Sequence, residues 1–257
     1  MKLLSGILGL TLTSVVALAS ANAADIYRAP EGVGGYKDGP AFVGVNWSGF
    51  YVGVNGGYGW SANNKTIDFV THGATTDFIK GPDASGGFGG GQIGYNWQGG
   101  YFGPRVVLGI EADIQGSGIG DDFHATSRNG IPGIVKTDLD YFGTVRGRLG
   151  YAFDRTLVYA TGGFAYGNVN TREIDATINF KNDELLTGFV VGGGVEHKIN
   201  PSWSIKAEYQ YIDLGSYKLN GTDNLGKTFT SNDLDAAFHT VRVGLNYQIH
   251  SGYEPLK

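Results

Sequence analysis

The chain has no cysteine, which excludes a disulfide framework, a thiolate-held metal and a thiol nucleophile. Helical periodicity is missing as well: no stretch of about a dozen residues keeps an apolar stripe at the 3.6-residue period. Long apolar runs are scarce. One covers Leu3–Leu18, and nothing after it approaches about 18 consecutive apolar residues, so a later transmembrane helix is excluded. A membrane-spanning remainder must then be a closed barrel, because hydrocarbon leaves no backbone group unpaired. Basic clusters are absent and the formal charge is −5, which argues against a nucleic-acid partner. There is no nucleophile elbow, no HExxH and no metal-ligand spacing. Neither catalysis nor a cofactor is expected.

Glycine and aromatics are what the chain has in excess. The 44 glycines make up about 17 per cent of the residues, against a usual 7 or so. With 15 tyrosines and 14 phenylalanines, this composition suits aromatic-rich strands, tight turns and close backbone approach. The start has a different character. Lys2, the apolar run and "SANA" at 20–23 form the charged, apolar and small-x-small pattern of a cleaved secretory signal. The expected division is therefore a signal peptide over 1–23, a Gly/Pro-rich linker over 24–46, a β-domain over 47–250 and a tail over 251–257. The mature chain would begin Ala24-Asp25, and losing Lys2 would take the charge from −5 to −6.

From Trp47 onward the period is two. Strand-like runs fall near 48–60, 86–98, 104–116, 139–153, 156–168, 186–199, 202–213 and 236–250. Short connections rich in Gly, Pro, Asn and Asp alternate with polar ones of roughly 17–25 residues. Such alternation puts all the long loops at one end of an up-and-down barrel. The expected fold is all-β, an eight-stranded antiparallel up-and-down transmembrane barrel.

Two segments, "TVRGRLGYAF" (144–153) and "TVRVGLNYQI" (240–249), place arginine inside otherwise apolar strands. Successive strand side chains face opposite ways. On that rule one face collects Glu111, Asp113, Arg146, Arg148, Glu196, Lys198, Lys206, Glu208 and Arg242, with Gln92, Asn96, Gln98, Asn246 and Gln248. The other face is apolar, for example Val145, Leu149, Val241, Val243 and Leu245. Run 156–168 does not declare its faces.

Alternation alone also fits a soluble barrel with an apolar inside. Two features decide against it. Tyr141 and Tyr151 share the apolar face about 33 Å apart, which projects to about 25 Å at a tilt near 40°. That is the height of an outer-membrane apolar band between two aromatic girdles. The charged face is also nearly balanced in sign, as a closed interior requires. The nine charges are thus expected to form a lumen network. A slip of one residue would put each arginine into hydrocarbon at a cost of about 2–4 kcal/mol.

The stretches "WSGFYVGVNGGYGW" (47–60), "GGQIGYNWQ" (90–98), "LDYFGTVRGRLGYAF" (139–153), "LVYATGGFAYG" (157–167) and "FHTVRVGLNYQI" (238–249) resemble the small porin-family surface antigens of alphaproteobacteria. Those are grouped with the opacity proteins and the OmpA transmembrane domain. The resemblance implies an outer-membrane barrel with four surface loops and both termini in the periplasm. Its implied partners are outer-membrane lipid and lipopolysaccharide, and the barrel insertion machinery. The machinery would read a terminal signal filled here by Arg242, Gly244, Tyr247 and Ile249, with Ile249 in place of the usual aromatic. Ala24-Asp25 also resembles the N-terminus that some such barrels bond covalently to peptidoglycan.

Three functions follow as expectations. The first is a structural, surface-exposed barrel, monomeric and plugged by its own side chains, because eight strands leave room for little more. The second is a small-solute pore through a lumen widened by Gly192, Gly194 and Gly244. The third is a haem receptor using His72, His124 and His239.

Overall fold

A computed structural model describes residues 45–249 apart from 64–66, 72–73, 80–82, 127–131, 175–178, 219, 223–227 and 232. The strands are β1 (Gly49–Ser61), β2 (Ile67–Thr71), β3 (Ala74–Ile79), β4 (Ser85–Gln98), β5 (Val106–Thr126), β6 (Pro132–Phe153), β7 (Thr156–Ile174), β8 (Asn179–Lys198), β9 (Trp203–Tyr217), β10 (Asn220–Thr222), β11 (Thr228–Ser231) and β12 (Leu234–Ile249). Eight of them close into an antiparallel barrel in the order β1-β12-β9-β8-β7-β6-β5-β4. The closing seam pairs β1 with β12, from Phe50 opposite Ile249 to Ser61 opposite Phe238.

Three short connections gather at one end, and each has a local cause. Between β6 and β7, Asp154 takes the left-handed conformation (φ 54°) that a two-residue hairpin needs. Between β8 and β9, the Asn200 side chain accepts the Ser202 and Trp203 amides at 2.9 and 2.8 Å. Between β4 and β5, a 3-10 turn at Gly100–Phe102 sits between two positive-φ glycines, Gly99 and Gly103.

The opposite end differs from the sequence expectation in two ways. Several strands run on well past their expected limits. β5 reaches Thr126 instead of stopping near 116, and β6 starts at Pro132 instead of 139. In these extensions the sequence loses its strict apolar–polar alternation, so the period-two signal fades although the backbone pairing of β5 with β6 continues. Two of the long connections also carry strands of their own. β10, β11, β2 and β3 form a separate four-stranded sheet, in which β11 from the last long connection pairs with β2 from the first.

The barrel wall has two unlike faces. Outward lie Phe50, Val54, Ile93, Ile110, Leu149, Val158, Phe189, Ile205 and Val243, all exposed. Tyr141 (38% exposed) and Tyr151 (42%) both lie on this face. At the short-turn end aromatic rings touch in pairs: Phe50 with Tyr95 at 4.6 Å, Trp203 with Tyr247 at 5.0 Å and Tyr151 with Phe153 at 4.9 Å. At the long-loop end Trp60, Tyr209 and Tyr211 surround His239. The undeclared run is resolved by β7, where Leu157, Tyr159 and Thr161 turn inward while Val158 and Phe164 face out.

Candidate functional site

The lumen is filled by side chains in three layers. The middle layer is ionic. β5 supplies Glu111 and Asp113, β6 supplies Arg146 and Arg148, and β8 supplies Glu196. β9 adds Lys206 and Glu208, and β12 adds Arg242. Register brings them together, since Glu111 lies opposite Arg146, Glu196 opposite Lys206 and Glu208 opposite Arg242. Arg146 (1% exposed) binds Glu111, Asp113 at 2.8 Å and Glu208 at 2.8 Å. Arg242 (1% exposed) reaches the same three carboxylates, with Glu208 at 2.5 Å. Lys206 Nζ donates to both Glu111 oxygens at 2.8 and 2.9 Å. Arg148 holds Glu196 at 2.6 Å and lies 4.1 Å over the Tyr159 ring.

Four carboxylates meet four cations here, so this layer is neutral. Neutral polar groups add hydrogen bonds to the carboxylates, while Arg146 Nε and Arg148 Nε are left without a partner. Tyr51 Oη donates to Glu111 at 2.7 Å, Tyr159 Oη to Glu208 at 2.6 Å and Thr144 Oγ1 to Asp113 at 2.8 Å. Asn246 donates to Glu196 at 2.8 Å and Gln210 to Glu208 at 2.7 Å. Carboxylates paired and hydrogen-bonded in this way are what make a buried charge tolerable.

Toward the long-loop end the lumen turns apolar. Phe142 contacts Phe88 and Phe238 edge-on at 5.2 and 5.4 Å, with Val190, Ile212 and Leu214 packed around them. Above this layer sits a cavity of about 80 Å³ with Ile119, Leu139 and Leu214 in its floor. At the short-turn end a second apolar cluster joins Trp47 (1% exposed), Val107, Ala152, Leu157 and Tyr159. Sequence reasoning expected a wholly polar plug and missed both apolar layers, as well as Tyr51, Tyr159, Gln115 and Gln210 on the inner face.

The ninth expected charge, Lys198, is buried but stands apart from the neutral layer. Its ammonium donates to the Asn46 and Pro201 carbonyls at 2.9 and 3.0 Å and to the Gln248 side chain. The glycines expected to widen the lumen are closely approached by their neighbours. A Cβ on Gly192 would lie 2.4 Å from the Tyr209 carbonyl, and one on Gly194 would lie 2.8 Å from Tyr159 Oη. At Gly244 it would meet Gln92 and Lys206 at 3.1 Å.

Of the expected terminal signal, Arg242 and Gly244 face the lumen, whereas Tyr247 and Ile249 face out. His239 also faces out. It bonds Tyr209 Oη at 2.7 Å and stacks on Trp60 at 5.6 Å. His72, the side chain of His124, Ala24 and Asp25 lie outside the described residues. Among the described residues no cluster of His, Asp and Glu has metal-ligand geometry.

An eight-stranded closed barrel with an apolar outer belt, two aromatic girdles and an ionic interior is built for an outer membrane. The chain belongs to the outer membrane protein beta-barrel domain family, whose model matches residues 10–248. It is 39% identical over 210 residues to the 31 kDa outer-membrane immunogenic protein of Brucella melitensis, covering 79% of this chain and 84% of that one. It is 32% identical over 184 residues to a 22 kDa outer membrane protein of Rhizobium leguminosarum, covering 70% of each. The fold is shared with the outer membrane protein OprG of Pseudomonas aeruginosa, at 14% identity and a TM-score of 0.52, covering 79% of this chain and 97% of that one. The protein is thus an outer-membrane barrel of the surface-antigen kind.

Proposed function

We infer that this barrel is a closed structural element of the envelope, tied to peptidoglycan through Ala24 and presenting its long loops to the outside. The observation that carries the reading is the layered lumen, in which a neutral ionic layer lies between two apolar ones. Ions crossing it would have to shed water against Phe88, Phe142 and Phe238, and again against Trp47. This argues against the small-solute pore. Nothing about His239, held on the outer face by Tyr209 and Trp60, favours a haem receptor.

The tether rests on the sequence Ala24-Asp25 and on a linker that could span roughly 75 Å at about 3.3 Å per residue. Two experiments test the reading. The refolded mature chain in a planar bilayer should give no stable conductance steps, and reproducible steps would overturn the closed lumen. Muramidase digestion of purified sacculi should release an Ala24 peptide carrying a muropeptide. A free Ala24 amine throughout would overturn the tether. Outer-membrane lipid, lipopolysaccharide and the insertion machinery complete the set of partners proposed here. For the machinery, Tyr247 and Ile249 on the outer face of β12 are the contact.

A further inference from the structure

The described chain begins just before β1 with a short strap. Residues Asn46, Trp47 and Ser48 cross the short-turn mouth and then turn sharply at Gly49. The φ there is +133°, a value that disfavours a side chain, and a Cβ would lie 3.3 Å from Gln248 Nε2. Each residue of this strap is fastened to a different part of the wall. The Trp47 amide donates to Gln98 Oε1 on β4 at 2.7 Å, and the Gln98 amide donates back to Ser48 Oγ at 2.9 Å. Gln248 on β12 donates to the Ser48 carbonyl at 2.6 Å. Lys198 at the end of β8 donates to the Asn46 carbonyl at 2.9 Å and lies 5.2 Å over the Trp47 ring. The indole itself packs with Val107, Ala152 and Leu157, from β5, β6 and β7. In the ring order β7 lies opposite β1, so Trp47 reaches the far wall.

We propose that this strap is a mechanical clamp: tension on the N-terminal segment is shared among Trp47, Lys198, Gln98 and Gln248 instead of falling on the Phe50–Ile249 pair that ends the β1–β12 seam. The proposal rests on the tether reading, because only a tethered chain pulls on this segment. Two physical reasons support it. A strand pulled from its end unzips one pair at a time, and the first pair here would be Phe50–Ile249. The strap instead loads several side chains on four or more strands at once, and pulling the chain out requires drawing the buried indole through the mouth.

The absence of cysteine allows a single attachment point. A cysteine placed by Asp25→Cys would couple the refolded mature chain, in a lipid bilayer, to a force probe. A second form would carry the attachment after Lys257. Under constant load from the N-terminus, the lifetime of β1 should fall at least tenfold in Trp47→Ala and clearly in Lys198→Met. Pulled from the C-terminus, both variants should lose several-fold less lifetime than they lose from the N-terminus. Equal lifetimes from the N-terminus in wild type and both variants would overturn the clamp. An equal loss from both ends would also overturn it and make Trp47 an ordinary packing residue. Should Trp47→Ala fail to refold, Lys198→Met carries the test alone. A negative muropeptide result would remove the tether and leave the force result standing, so the two failures are separable.

Discussion

Glu111 is the hub of the ionic layer, and Glu111→Gln tests whether that layer is balanced as described. The carboxylate binds Arg146, accepts two bonds from Lys206 and one from Tyr51, and lies 3.7 Å from Arg148. Glutamine keeps the shape and removes the charge. The layer then holds three carboxylates against four cations, all of them buried. Breaking a buried pair this way costs about 3–5 kcal/mol, mostly because the partner stays buried without its counter-charge. Removing the excess cation should therefore recover much of the loss. The double variant Glu111→Gln/Lys206→Met should be less destabilised than the sum of the two singles by about 1.5 kcal/mol or more. Urea titration of the refolded barrel in lipid vesicles, followed by heat-dependent gel mobility, measures all four corners of the cycle. A cost below about 1 kcal/mol for Glu111→Gln, or strict additivity in the double variant, would refute the buried neutral layer.

Trp47→Ala should destabilise the barrel by about 3–5 kcal/mol in the same titration, yet leave the planar bilayer silent because the Phe88–Phe142–Phe238 layer still closes the lumen. Val145→Arg, on the exposed face beside Arg146, should cost about 2–4 kcal/mol when measured in lipid. Thr144→Val, one residue earlier on the inner face, should cost less, about 1–3 kcal/mol for the Asp113 hydrogen bond. Gly94→Ala should destabilise by about 1–3 kcal/mol, because its methyl would stand 2.3 Å from Tyr51 Oη. Gly56→Ala, whose nearest neighbour would be a carbonyl at 3.5 Å, is the matched control and should stay within about 1 kcal/mol of the parent.

The membrane-embedded part of each strand was legible because its two faces meet unlike surroundings. Arg146 and Arg148 alternate with Val145, Gly147 and Leu149, and a slip of one residue would put the charges into lipid. The outer half of the lumen was not legible, because inner and outer faces are both apolar there: Phe142 points in and its neighbour Tyr141 points out. The pairing of β6 with β7 also shifts between Leu139 and Tyr141, so Leu139 points inward against the alternation that holds below it. The short β2, β3, β10 and β11 strands alternate too briefly to be read from sequence. Trp47 sits in "NWSG", which has no period at all, and only its distant partners Lys198, Leu157 and Val107 give it a place.

The position of Arg242 has a consequence for how the barrel is completed. Strands β5 to β9 supply four carboxylates and only three of their cations, Arg146, Arg148 and Lys206. The fourth cation arrives on β12, the last strand to be made and the one that closes the seam. Without β12 the ionic layer, from which Lys198 stands apart, therefore keeps one carboxylate without its counter-charge. The residue that balances the layer thus lies on the strand that closes the wall, so the seam and the ionic layer are completed together.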